Sequence, residues 1–386
     1  MLLMHMPRLA LASATVFLAG FVGPVLAGEW QRFDNPAAVI GADGQLHEPS
    51  CSNYPGTDPT FRFWVRPGLS KNLVVYFEGG GACWDSASCN TTQTFNPAVS
   101  ATQGPEGVGG VFDDTRRDNP VRNWTVVYVP YCTGDIHIGS ADRTYNNVFG
   151  IPGIPAQFEI RHRGFDNFMV VLDWIKTNLP APNRLLVTGA SAGGYGATAN
   201  FPWLAQQFPS ARLSVLADAS QGVSTDGWDQ GTPGRGSWNP QLAPWVFGED
   251  PLAVPGPELM RVGAQAYPLG RFSQYTTARD GVQVGFYGLI KSGYGPGNGS
   301  CSNTEADWNQ QMLGSLASYD STLRNFRYFV APGSSHTILR SNGFYDDVGA
   351  GDSVAGWLGS QVSLRPRSNP WLDLACPDCL TPLPCP

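Results

Sequence analysis

Charge is scarce in this chain: Asp, Glu, Lys and Arg make up 14% of 386 residues, and acids outnumber Lys and Arg 31 to 24, for a net charge of −7. A nucleic-acid-binding surface needs a clustered basic face, and the short run Arg116-Arg117-Asp118 reads as a solvated turn. Nucleic acid is therefore not an expected partner. Beyond the first 27 residues, apolar runs long enough to span a membrane are missing too. Internal repeats and coiled-coil heptads are likewise absent. Histidine is rarer still, with five in the whole chain. None follows His336, so the spacing Cys376-x2-Cys379-x5-Cys385 has no local histidine with which to complete a tetrahedral zinc site.

What is present belongs to an exported, loop-rich protein. The chain opens with a short basic start, an apolar stretch, and small residues at Val25 and Ala27, the pattern of a signal peptide cut before Gly28. The expected organisation is a signal peptide over 1–27 and one catalytic domain over 28–386. The mature protein would then be secreted, extracellular or periplasmic, with no membrane attachment. All eight cysteines lie after that cut, and an even count in an exported chain reads as disulfides. Their pairing is open, since eight cysteines allow 105 connectivities. Glycine (46), proline (32) and 12% aromatic residues complete the picture.

Apolar runs rich in β-branched and aromatic residues alternate with helical patterns, which predicts an α/β fold with a mostly parallel central sheet covered on both faces. The runs are NLVVYFEGG, WTVVYVPYC, RLLVTGAS, ARLSVLADAS, FSQYTTARD and FRYFVAPG. Between the second and third, Phe165, Phe168, Met169, Leu172 and Ile175 fall on one face of a helix. Residues 221–271 break the alternation with Pro, Gly and the tryptophans Trp228, Trp238 and Trp245. They read as an insertion near the site or as a loop with its own small core.

The motif Gly189-x-Ser191-x-Gly193 is weak alone, but it sits where a strand would run into a helix, the context of a nucleophile elbow. A serine nucleophile needs a histidine base, itself oriented by a carboxylate. In α/β hydrolases the chain order is Ser, acid, His, and only His336 follows Ser191. Seven aspartates lie between them. Asp280 and Asp218, each at the end of an expected strand, are the two positioned to orient an imidazole. Asp280 is preferred because a later strand approaches the histidine loop more naturally. The run YFEGGG leads Gly79, Gly80 and Gly81 into a turn that can expose successive N–H groups to an oxyanion, with the N–H of Ala192 as a further donor.

In this order FEGGGACW, NPVRNWTVVYVPYCTGDIHIGS, GFDNFMVVLDWI, LLVTGASAGGYGA, LADAS, FSQYTTARD and SSHTIL make the chain resemble the pectin acetylesterase family, which includes Notum-like carboxylesterases. The resemblance implies an α/β-hydrolase fold and a triad of Ser191, Asp280 and His336. It also implies an oxyanion hole formed by the amides of Gly80, Gly81 and Ala192. The expected activity is removal of acetyl groups from a polysaccharide such as pectin through an acyl-enzyme, with no metal or other cofactor. Two other readings stand beside it: a long-acyl or polyester carboxylesterase using the same triad, and an inactive carbohydrate-binding protein.

Overall fold

A computed structural model describes residues 28–102, 104–295, 297, 299, 301–363 and 370–385. The signal peptide expected over 1–27 lies outside the described residues.

The centre is a nine-stranded sheet. In chain order its strands are β1 (Gln31–Asp34), β2 (Arg62–Arg66), β3 (Asn72–Phe77), β4 (Thr125–Val129), β5 (Arg184–Ala190), β6 (Arg212–Asp218), β7 (Arg271–Thr277), β8 (Phe326–Ala331) and β9 (Leu374–Ala375). Across the sheet they lie in the order β1-β2-β4-β3-β5-β6-β7-β8-β9. β2 pairs antiparallel with both β1 and β4, and every pairing from β4 to β9 is parallel. Parallel strands covered on both faces are apolar along their whole length, and β3 (NLVVYF) is buried at every position.

Five helices carry the crossovers and walls: α1 (Gly164–Asn178), α2 (Ala192–Gln207), α3 (Glu258–Ala266), α4 (Gly281–Tyr294) and α5 (Thr304–Thr322). A sixth, α6 (Val354–Val362), precedes the final strand. On α1 the residues Phe165, Phe168, Met169, Leu172 and Ile175 are all buried, as their 3.6-residue spacing requires. Fully burying each such side chain contributes about 1.5–3 kcal/mol.

α2 lies against β3, β5 and β6. A β-carbon on Gly193 would collide with the carbonyl oxygen of Phe77 at the end of β3, and one on Gly189 would strike both that carbonyl and Gly193. Glycine here is therefore a packing requirement that brings the helix start close to two strands.

The order reverses between β3 and β5: the chain leaves β3 for β4 on one side and returns from β4 to β5 on the other. Such a switch point opens a crevice at the carboxyl ends of the strands. Gly79 to Gly81 follow β3, and Ser191 follows β5.

Four disulfides bind the loops: Cys51–Cys132, Cys83–Cys89, Cys301–Cys385 and Cys376–Cys379. The C-terminal cysteines are thus held in sulfur–sulfur bonds. Cys83 and Cys89 lie near His162, but their sulfurs are bonded to each other and offer no thiolate to a metal.

Candidate active site

Ser191 stands between β5 and α2 with φ 57° and ψ −128°, a conformation that a residue with a β-carbon adopts only where its surroundings impose it. Its N–H donates to the carbonyl of Asp218, and its own carbonyl accepts from Gly194 N–H and from the Ser220 hydroxyl. These bonds leave the side chain at the crevice, on the shared lining of an apolar cavity and a polar groove.

Asp280 lies three residues beyond β7 and is fully buried. It caps α4, with Oδ1 accepting the N–H groups of Val282 and Gln283 at 3.1 and 3.0 Å. The Gln283 side-chain amide donates to Oδ2 at 3.0 Å. Helix amides and positive dipole at this end favour a negative carboxylate. Both carboxylate oxygens lie 2.9 Å from Nδ1 of His336.

Because a carboxylate can only accept, the shared proton sits on Nδ1, which leaves Nε2 as the basic nitrogen of the neutral ring. That Nε2 is buried and lacks a hydrogen-bond partner among the described residues. His336 lines the same cavity and groove as Ser191.

The other described histidines are engaged elsewhere. His137 is buried, its Nε2–H donating to the Glu78 carbonyl at 2.8 Å, and burial lowers its pKa to about 4. His162 is buried between the Thr133 carbonyl and the Tyr145 hydroxyl, and burial likewise lowers it to about 4. His47 sits between Asp166 and Asp43; burial opposes its charge, but the two carboxylates outweigh that and raise its pKa.

Asp218, the second candidate for the acid, takes a different place. It is fully buried at the end of β6, and its Oδ2 accepts the N–H groups of Ile338 and Leu339 at 2.8 and 2.9 Å. It holds the loop that carries His336. Burial raises its pKa to about 7 despite those two bonds.

Gly80, Gly81 and Ala192 bring their amides to the same crevice. The N–H groups of Gly80 and Gly81 make no hydrogen bond with the described residues, whereas the neighbouring Ala82 N–H and Gly80 carbonyl are tied to Thr94 and Asn96. Gly81 has φ +77°, and a β-carbon there would collide with the Thr94 carbonyl. Ala192 opens α2, so its N–H has no carbonyl one turn back.

The cavity beside Ser191 holds about 80 Å³ and is walled by Trp84, Trp228, Trp238, Phe286, Ile290 and Trp308, among others. Segment 221–271 supplies part of that wall. It is shaped by the buried Arg235, whose guanidinium donates to the carbonyls of Asp229, Pro251, Leu252 and Val254. Trp228 and Trp238 line the cavity, and Trp238 Nε1–H donates to the Cys83 carbonyl at 2.7 Å. Trp245 stands apart, half exposed, against Trp203. On the other side of Ser191 lies a groove of about 340 Å³ lined by Thr92, Gln93, Thr94, Asn96 and Arg340.

Sequence reasoning missed Gln283, Glu78 and Arg340. Gln283 was legible in Asp280-Gly-Val-Gln283, the spacing of a capping box. Glu78 and Arg340 carry no local signal, since their 2.9 Å ion pair joins positions 262 residues apart.

The strand order and the crevice at the switch point define an α/β-hydrolase-like fold. A family model described as pectinacetylesterase matches residues 52–229, a little under half of the chain, which makes the chain similar to the pectin acetylesterase and Notum-like family. It is 26% identical over 164 residues to Palmitoleoyl-protein carboxylesterase NOTUM of Homo sapiens, covering 41% of this chain and 30% of that protein. It is 24% identical over 169 residues to Pectin acetylesterase 11 of Arabidopsis thaliana, covering 42% and 41%. The chain thus spans about a third of the length of the NOTUM proteins that it matches.

Proposed function

We propose that this protein is a serine carboxylic ester hydrolase that removes short acyl groups, acetyl above all, from a polysaccharide. His336 Nε2 takes the proton of Ser191 Oγ as that oxygen attacks the ester carbonyl. The amides of Gly80, Gly81 and Ala192 receive the oxyanion, and Asp280 stabilises the imidazolium. The sugar oxygen leaves with the proton from His336. Water, deprotonated by the same nitrogen, then attacks the acyl-enzyme, releasing acetate and restoring Ser191. Every proton and charge in this cycle is handled by the chain's own groups, so the chemistry calls for no metal or organic cofactor.

The contrast between the two spaces beside Ser191 carries this reading. The apolar one, about 80 Å³, is smaller than the roughly 150 Å³ cavity that admits benzene in an engineered core, so it suits a short acyl group. The other, about 340 Å³, sets Thr92, Gln93, Thr94, Asn96 and Arg340 beside Phe95, Val282 and Phe286, a mixed lining that suits a hydroxylated sugar ring. Four disulfides favour an oxidising compartment, and no described helix is long and apolar enough to cross a membrane. The disulfides accord with a secreted enzyme.

Hydrolysis of p-nitrophenyl acetate, butyrate and octanoate by the protein and by Ser191→Ala tests the proposal. Activity greatest on acetate and lost in the variant is expected. A maximum at octanoate would reassign the acyl group, and undiminished turnover by Ser191→Ala would refute the assignment. Glycan binding with no ester hydrolysis by the wild type would make it a binding protein instead.

A further inference from the structure

The polar groove continues past Ser191. Asn96 and Arg340 line it, and the same two residues line a further hollow of about 220 Å³ that reaches Trp64, Tyr128 and Glu78. The two spaces adjoin at Asn96 and Arg340, so sugars beside the one that bears the ester would meet the lining of both.

The charge of this lining is balanced. Among the described lining residues of both parts, the formally charged side chains are Arg340 and Glu78, with His336, Tyr128 and Tyr131 the other titratable groups. Arg340 Nη1 donates to Glu78 Oε1 at 2.9 Å, so the guanidinium is already matched. Thr92, Gln93, Thr94 and Asn96 add neutral donors and acceptors. A paired Arg and Glu offers a sugar hydroxyl both a donor and an acceptor. It offers a carboxylate no free cation, and the net charge of −7 repels a polyanion from farther away.

Resting on the reading that Ser191 cleaves an ester in this cleft, we infer that the alcohol half of the substrate is an uncharged acetylated glycan and not a polyuronate. The inference separates this chain from the polymer in the name of one of its relatives, Pectin acetylesterase 11. A polygalacturonate carries a carboxylate on each unesterified sugar, and several would lie along the cleft without a counter-charge.

The test is acetate release from acetylated xylan and from acetylated polygalacturonate at matched acetyl content, at low and at physiological salt, beside p-nitrophenyl acetate. Faster release from xylan, independent of salt, is expected, with slower release from polygalacturonate that rises as salt screens the repulsion. Glu78→Gln sharpens the test, because it keeps a carbonyl to accept the Tyr131 N–H now bonded to Glu78 Oε2 but frees the Arg340 charge. It should shift the polygalacturonate-to-xylan ratio of kcat/KM upward by about fivefold at low salt, the factor for one unit charge at roughly 4 Å in a water-like dielectric. A ratio of rates cancels any general damage to catalysis. Equal or faster release from polygalacturonate at low salt, or a ratio unmoved by Glu78→Gln, would overturn the inference and leave the esterase reading standing. Turnover of p-nitrophenyl acetate with neither polymer cleaved would overturn it as well. Absence of all three activities in folded protein would instead remove the esterase reading on which it rests.

Discussion

Asp218 Oδ2 holds the backbone N–H of Leu339 at 2.9 Å, and that of Ile338 at 2.8 Å, so a strand-end carboxylate anchors the chain just beyond His336. The imidazole of His336 is thus positioned from two sides: Asp280 holds the ring, and Asp218 holds the loop. Asp218→Ala leaves two buried N–H groups unmet, at about 1–3 kcal/mol each. It should lower thermal stability and kcat together. Asp218→Asn retains an acceptor and should lose much less of both, as read by calorimetry and esterase assay.

The same residue sets a pH dependence. Its pKa rises from 3.8 to about 7 in the folded chain because burial disfavours the charged form. The folded state therefore holds the proton more tightly than the unfolded state. The associated stability is full below the unfolded pKa and is lost as pH rises through about 7. Asp135 contributes in the same direction, also raised to about 7 by burial. His137 and His162, lowered to about 4, act oppositely between pH 4 and 6.5, so the difference is the readout: the melting temperature of the wild type minus that of Asp218→Asn should fall as pH rises from 4 to 8, while the share due to Asp135 is common to both.

Ser191 pays for its position in backbone strain, with φ at 57°. Such a conformation costs on the order of 1–3 kcal/mol for a residue with a β-carbon. Ser191→Gly should therefore unfold at higher denaturant concentration than Ser191→Ala, although both lack the hydroxyl. Equal midpoints would mean that the turn is unstrained.

Glycines on two helices should respond oppositely. Gly193→Ala puts a methyl group into the Phe77 carbonyl and should force α2 away from β3, with severe loss of folded protein. Gly285, on α4, has open space around its β-position. Gly285→Ala should stabilise the chain by about 1 kcal/mol through helix propensity alone.

The disulfides differ in the loops they close. Cys51–Cys132 spans 81 residues, and Cys376–Cys379 spans 3. Chain-entropy reasoning assigns them about 4.5 and about 1.6 kcal/mol. Paired alanine substitutions should rank in that order in urea denaturation.

Much of this fold is written locally. The six apolar runs became β3 to β8 because parallel strands buried on both faces are unbroken in hydrophobicity, and the signal needs no partner to be read. Ser191, Asp280 and His336, the proposed triad, could be singled out because the turn after β5 has a glycine signature and a single histidine follows it. The division of labour between Asp218 and Asp280 was harder. Asp218 ends a strand and Asp280 closely follows one, and only the packed structure shows that Asp280 faces an imidazole and Asp218 two amides. The four disulfide pairings and the Glu78–Arg340 bridge join distant segments, which no window of sequence brings together. Trp228 and Trp238 were visible as residues of 221–271, but their place in the cavity wall depends on the buried Arg235 that folds that segment.

The central claim is that Ser191 is the nucleophile, and covalent trapping tests it most directly. After brief treatment with a fluorophosphonate, peptide mass spectrometry should find one phosphonylated site, Ser191, with labelling abolished in Ser191→Ala and strongly slowed in His336→Ala. Label on another residue, or none on a folded protein that still hydrolyses p-nitrophenyl acetate, would contradict the account.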